Sequence, residues 1–322
     1  MSNEDKSNET IVIVDALNLF TRHFCAHPAL GVNGEHVGGI VGFLYGVIHL
    51  VEDFKPTKVI IVWEGGGSSK KRAIFKEYKS KRKPAKLNRF YSDDMPSTVE
   101  NRNHQVSVLV DIIKNLPIDQ IYIPDCEADD VIGYICKYTY RAAKKVIISS
   151  DHDFYQLLDK KTIIYSPTWK KLVTSKDVIA KFGISPENFC LAKSICGDPA
   201  DNIKGVGGVG FKTLAKRFPG LSSTDDMSVT EIVEIAKIEV EEGGKIKAIK
   251  NISEAIDLIK RNWRLIYLDT QNLSGDQILK INYVTDTFSP TRNKIQVMRI
   301  LIKQGIQSFN VDRLFLSLKQ IK

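Results

Sequence analysis

The distribution of apolar positions divides the chain into two styles. Short β-branched runs at Ile11–Val14, Val59–Val62, Ile121–Ile123, Val146–Ile148 and Thr162–Tyr165 predict strands. The first four hold almost nothing but apolar residues, as strands covered on both faces require. Helical spacing predicts helices between them at Val37–Asp53, His104–Lys114, Asp129–Arg141 and about Phe154–Leu158. This βαβ alternation predicts an α/β fold with an open, mostly parallel sheet flanked by helices over residues 10–176. Beyond that the strand signal fades. Asn188–Cys196, Phe211–Phe218, Val229–Glu242, Ser253–Leu268 and about Thr291–Lys303 read as helices, so residues 177–322 are expected to form a mainly helical C-terminal region.

With 43% apolar and 26% charged residues among 322, the chain falls among ordinary folded proteins, not disordered or fibrous ones. Five cysteines without a CxxC predict neither a disulfide framework nor a zinc module, which suits a reducing cytoplasm. The polar start is unlike a signal peptide. The longest apolar run, Val37 to Val51, is too short to cross a bilayer, so no membrane partner is expected.

Charge sharpens the picture. The net charge is +8, yet the segment from Lys70 to Arg89 alone holds ten basic residues against the single acid Glu77. Phe75, Tyr78, Phe90 and Tyr91 lie among these cations. A solvated face could carry such a run, but cations mixed with rings suit single-stranded nucleic acid, the cations tracking phosphates and the rings stacking on bases.

Acids follow the strands. Asp15 ends the first, Glu64 and three glycines follow the second, Glu127, Asp129 and Asp130 follow the third, and Asp151, His152 and Asp153 follow the fourth. Ligands of open parallel sheets bind at the carboxyl ends of the strands, so four distant segments deliver carboxylates to one edge. Any one of them could be a helix N-cap; four together repel unless a cation neutralises them. An all-oxygen donor set predicts a hard cation, Mg²⁺ or Mn²⁺, not zinc, with His152 outside the ligand set. Asp198 and Asp201 could complete a second position, and two divalent ions are a known device for phosphodiester hydrolysis. Next comes Gly205-Val206-Gly207-Gly208-Val209-Gly210, a glycine-rich turn opening a helix that presents N–H groups to an anion. Lys204 and Lys212 beside it favour a DNA backbone contact over a plain turn.

These motifs together resemble the structure-specific 5′-nuclease family: flap endonucleases, the 5′-nuclease domain of DNA polymerase I, phage 5′-exonucleases and phage ribonuclease H. The resemblance runs through Asp15, Tyr78-Lys79-Ser80-Lys81-Arg82, Glu127-Ala128-Asp129-Asp130, Ser149-Ser150-Asp151-His152-Asp153 and Gly197-Asp198-Pro199-Ala200-Asp201 into the glycine turn. It implies a PIN-like sheet, a helical arch at about 68–104 and a helix-hairpin-helix at about 188–218. It also implies two Mg²⁺ ions, which Mn²⁺ can replace, the first among Asp15, Glu64, Glu127, Asp129 and Asp130, the second among Asp151, Asp153, Asp198 and Asp201. Arg72 and Lys79 would reach the scissile phosphate. Tyr78, Lys81, Arg82, Lys83, Lys204, Gly205, Gly207, Gly208, Gly210 and Lys212 would hold nucleic acid, with K⁺ at the hairpin. The implied activity is 5′ to 3′ exonuclease or flap endonuclease cleavage of DNA or RNA–DNA hybrids during replication, leaving 5′-phosphate and 3′-hydroxyl. A monomer in the cytoplasm of a phage-infected host, working with a sliding clamp or a single-strand-binding protein, is implied likewise. Glu64 departs from the pattern, which has Asp there. Two competing readings share the acidic edge: a PIN-type single-strand or RNA-directed nuclease, and a non-catalytic DNA-junction-binding protein.

Overall fold

The structure, a computed structural model, describes residues 9–81 and 98–321. Six strands form one sheet: β1 (Thr10–Asp15), β2 (Lys58–Trp63), β3 (Asp119–Tyr122), β4 (Lys144–Ile148), β5 (Thr162–Ser166) and β6 (Lys171–Val173). Their order is β3-β2-β1-β4-β5-β6, with the first five strands parallel and β6 antiparallel to β5. The chain winds outward from β1 in both directions, so β1 lies at the switch point where such sheets bind ligands.

Alternation along each strand sorts the apolar residues into two cores. Ile11, Ile13, Ile60, Val62, Ile121 and Ile147 face one. Val12, Val14, Val59, Ile61, Val146 and Ile148 face the other. The second core is closed by α1 (Ala16–Ala26), α2 (Gly38–Phe54) and α4 (Thr98–Ile113), with α3 (Ser69–Ile74) standing apart near the sheet's carboxyl edge. The first core receives α5 (Ala128–Tyr134), α7 (Pro186–Cys196), α8 (Phe211–Arg217), α9 (Val229–Glu241), α10 (Lys247–Ser253), α11 (Ile256–Ile266) and α12 (Gly275–Thr287). Between β6 and α7 runs α6 (Ser175–Phe182). The last helices, α13 (Lys294–Lys303) and α14 (Val311–Ser317), return to the opposite face, where Val297, Leu301 and Leu314 join the core of Ile40 and Phe43. Both cores therefore draw on residues from either side of position 176.

Some expected elements differ in detail. The helix expected over Asp129–Arg141 is α5 followed by a wider π turn, Ile135–Thr139, and the one at Ser253–Leu268 is interrupted between α10 and α11. The unexpected α1 follows β1 without a spacer, because Asp15 both ends the strand and caps the helix. Among the described residues no helix is long and apolar enough to cross a membrane.

At the amino end of the sheet Asp119 is 1% exposed and its carboxyl oxygens have no hydrogen-bond partner. Burial pushes it up to about 6, against the pull of Lys58. A raised carboxyl favours the fold when protonated, so its contribution is full below about pH 4 and is lost as the pH rises through 6. Asp119→Asn should gain about 1–2 kcal/mol on the wild type between pH 5 and pH 7.5. Urea midpoints at the two pH values measure this, and a pH-independent difference would show the carboxyl to be solvated.

Candidate active site

The carboxyl ends of β1, β2, β3 and β4 open onto a cleft of ≈ 820 Å³ lined by Asp15, Glu64, Glu127, Asp129 and Asp151. Asp15 accepts hydrogen bonds from the Asn18 amide at 3.2 Å and the Ser149 hydroxyl at 2.9 Å. Burial nevertheless pushes it up to about 7, and the charges of Asp151 and Glu64 add to the effect.

Glu64 is placed by the glycine after it. A Cβ on Gly65 would lie 1.7 Å from the Ile123 carbonyl oxygen, so only glycine lets β2 run this close to the chain leaving β3. Gly65 bonds that loop in both directions, to Cys126 at 3.0 Å and from Asp125 at 2.9 Å. The Glu64 carboxylate then accepts from the Gly67 amide at 3.1 Å and the Ala128 amide at 3.3 Å. Burial and the neighbouring Glu127 raise its carboxyl.

Glu127, 1% exposed, accepts from Lys71 at 2.8 Å, from the Tyr78 hydroxyl at 3.0 Å and from Lys79. Burial would raise it, but the two lysines win and hold it at about 2. Asp129 goes the other way: burial raises it well above the usual range, Asp151, Asp15 and Glu127 reinforce that, and Lys79 opposes it.

A second group gathers at the inner end. Oxygens of Asp153, Asp198 and Asp201 lie within 4.8 Å of one another. Asp198 and Asp201 sit on a single tight turn, Pro199–Asp201, which Asp198 caps through the Ala200 amide at 2.9 Å. Lys193, on α7, reaches between Asp153 and Asp198, the latter at 2.8 Å. Burial pushes Asp153 up to about 7 in spite of Lys193. Asp198 is held down, because Lys193 outweighs its burial. Asp151 joins the groups: its charge acts on Asp15 and Asp129 on one side and on Asp153 on the other. Its carboxylate also accepts from the Asp153 amide at 2.9 Å.

One expectation needs correction. Asp130 is fully buried, pairs with Lys71 at 2.8 Å and accepts from Asn272 at 3.2 Å, so it points away from the cleft and is not placed to hold a metal there. One helical position separates it from Asp129, which turns it about 100° around α5. Tyr78 is 7% exposed, beneath the carboxylates, with Lys79 5.0 Å above its ring. Its hydroxyl donates to Glu127 at 3.0 Å, and the residue lines the cleft. His152 is stacked 4.7 Å from Tyr155.

Around this centre Arg72 and Lys79 line the cleft. The Lys79 amide donates to the Asp201 carbonyl at 3.0 Å, which ties the start of the basic segment to the second acidic group. Lys81 is exposed. Arg82 and Lys83 lie outside the described residues. In the hairpin, a Cβ on Gly205 would fall 2.1 Å from the Cys196 carbonyl oxygen, so this glycine is structural. Gly207, Gly208 and Gly210 are exposed, as are Lys204 and Lys212, and Gly208 has φ +75°.

Lys71 and Lys193 are the side chains that the sequence reading missed as parts of the site. Lys71 was hidden within the basic run. Lys193 carried a signal, a lone cation inside the apolar stretch Phe189–Ile195, since lysine is almost never buried unless paired.

An open parallel sheet with carboxylates from four strand ends defines a PIN-like nuclease fold. The family described as "5'-3' exonuclease, N-terminal resolvase-like domain" matches residues 10–183, and the chain belongs to it. It is 30% identical over 207 residues to the 5′-3′ exonuclease of Aquifex aeolicus, covering 64% of this chain and 67% of that one. It is also 30% identical over 230 residues to DNA polymerase I of Bacillus subtilis, covering 69% of this chain but 25% of that one. Among solved structures, the bacteriophage T5 flap endonuclease with DNA and metal ions superposes with a TM-score of 0.66 at 21% identity, covering 92% of this chain and 100% of that one. Flap endonuclease-1 from Methanococcus jannaschii gives 0.51 at 17% identity, covering 99% and 93%. The protein is a member of the 5′-3′ exonuclease family.

Proposed function

We propose that this chain cuts DNA, or the RNA strand of a hybrid, at a 5′ end or flap junction, holding two Mg²⁺ ions at its acidic groups. The single observation that carries this reading is the gathering of carboxylates: Asp15, Glu64, Glu127, Asp129 and Asp151 line one cleft, and oxygens of Asp153, Asp198 and Asp201 lie within 4.8 Å of one another. The donor set fits a hard divalent cation, being all oxygen. Asp15, Glu64, Glu127 and Asp129 would hold one ion, and Asp153, Asp198 and Asp201 the other, with Asp151 between them. Two such ions supply an activated water and a counter-charge for the leaving oxygen. Arg72 and Lys79 would bind and orient the phosphate, while Tyr78 and Lys71 fix Glu127. The hairpin would hold duplex backbone through exposed N–H groups and Lys204 and Lys212, with K⁺ as the accompanying ion. The related phage enzyme seen with DNA and metal ions supports the substrate class.

The test is cleavage of a 5′-flap oligonucleotide with Mg²⁺ and with excess EDTA. Product with a 5′-phosphate in Mg²⁺ alone is expected, and undiminished cleavage in EDTA refutes the proposal.

Glu64 provides a finer check. Glu64→Asp should keep substantial activity, because Mg²⁺ retains waters that can span a missing methylene. Glu64→Gln removes charge without opening a cavity and should raise the Mg²⁺ concentration for half-maximal rate about tenfold. A superimposable titration would leave Glu64 as a turn acid only.

A further inference from the structure

Beside the catalytic cleft lies a second opening of ≈ 680 Å³, between α4 and the carboxyl ends of β2 and β3. Leu17, Glu64 and Arg102 line both, so the two spaces adjoin. Trp63 and Tyr122 are register partners across β2 and β3 and lie side by side on its wall. Trp63 is buried, its ring N–H donating to Gln120 at 3.0 Å. Tyr122 is 59% exposed, a large ring left uncovered at the end of an edge strand. Arg102 stands between the spaces, and its Nε is buried without a hydrogen-bond partner.

An exposed ring, an apolar wall and an unsatisfied guanidinium N–H match a planar heterocycle with a polar edge. These are the features by which proteins hold unpaired bases. Adjacency to the cleft names the bearer. A group seated here can belong to the same strand as a phosphate at the carboxylates, with Arg102 between the two spaces.

We infer that the groove beneath Tyr122 takes an unpaired nucleobase of the strand being cut, with Arg102 spanning base and phosphate. The inference rests on the function proposed above and adds that the protein holds the single strand by its bases as well as its charge. Stacking on an open ring edge tolerates every base, so the groove selects for single-strandedness and not for sequence.

The experiment compares two 5′-flap duplexes, one with a thymidine flap and one whose flap carries abasic sugar-phosphates of equal charge. Binding is followed by fluorescence anisotropy with Ca²⁺ in place of Mg²⁺. The wild type should bind the thymidine flap about tenfold more tightly. Tyr122→Ala should bring the two within about twofold, and Tyr122→Phe should keep the preference, because the ring and not the hydroxyl carries it. Equal affinities in the wild type, or an undiminished preference in a folded Tyr122→Ala, overturn the groove assignment while Mg²⁺-dependent cleavage stands. Absence of cleavage of either flap in Mg²⁺ overturns both readings.

Discussion

Asp151→Asn is expected to cut turnover on a 5′-flap substrate roughly a hundredfold or more while leaving DNA affinity in Ca²⁺ unchanged or slightly stronger. The substitution is close to isosteric, and the amide oxygen can still accept from the Asp153 N–H that Asp151 now caps, so the fold stays intact. It removes the negative charge that lies between the two acidic groups and acts on both. Loss of a charged ligand weakens cation binding and misplaces what the cations orient. DNA affinity moves the other way, since a carboxylate facing a phosphate repels it. Single-turnover cleavage and anisotropy on the same oligonucleotide separate the two effects. Turnover within twofold of wild type would remove Asp151 from the site.

Lys71→Met should destabilise the protein by about 3–5 kcal/mol at pH 7.5, the range for a buried charge stripped of its partner. Lys71 is 1% exposed and pairs at 2.8 Å with both Glu127 and Asp130. Burial opposes its charge, but Asp130 and Glu127 outweigh that and raise its pKa above the usual lysine value. Burial already holds Asp130 above its ordinary value; without the ammonium it rises further and Glu127 loses one of the two lysines that hold it down, so the variant's stability falls as the pH rises and recovers toward pH 4–5. Urea midpoints from pH 4.5 to pH 8 follow this directly. A loss of equal size at every pH would mean that Lys71 contributes packing alone.

The sheet was legible because burial on both faces leaves a composition that helices lack. Thr10–Asp15 and Lys58–Trp63 read directly as strands for that reason. β6 was not legible, since a three-residue edge strand with two exposed positions has no such signature. Nor was α1, whose pattern merges with the strand before it. The acids were found because a parallel sheet sends every strand end to one edge, and that inference needs topology alone. Telling Asp129 from its neighbour Asp130 needed the rotation of α5, and placing Tyr78 under the carboxylates needed tertiary packing. Neither is written in local sequence. The buried lysines escaped for a related reason: a cation is read as surface until the acids around it are located in space.

The return of the final helices to α2 sets an order on synthesis. Arg313 pairs with Glu52 at 2.7 Å, and Phe309 lies 4.9 Å from Tyr45. These partners are made some 260 residues apart, so at about 5–20 residues per second that part of α2 stays bare for tens of seconds on the ribosome. During that interval α1, α4 and the sheet can already cover the rest of α2, and only the part later met by Phe309 and Leu314 stays exposed. Exposure of that patch during translation is expected to invite chaperone binding to the nascent chain, whatever the stability of the finished fold.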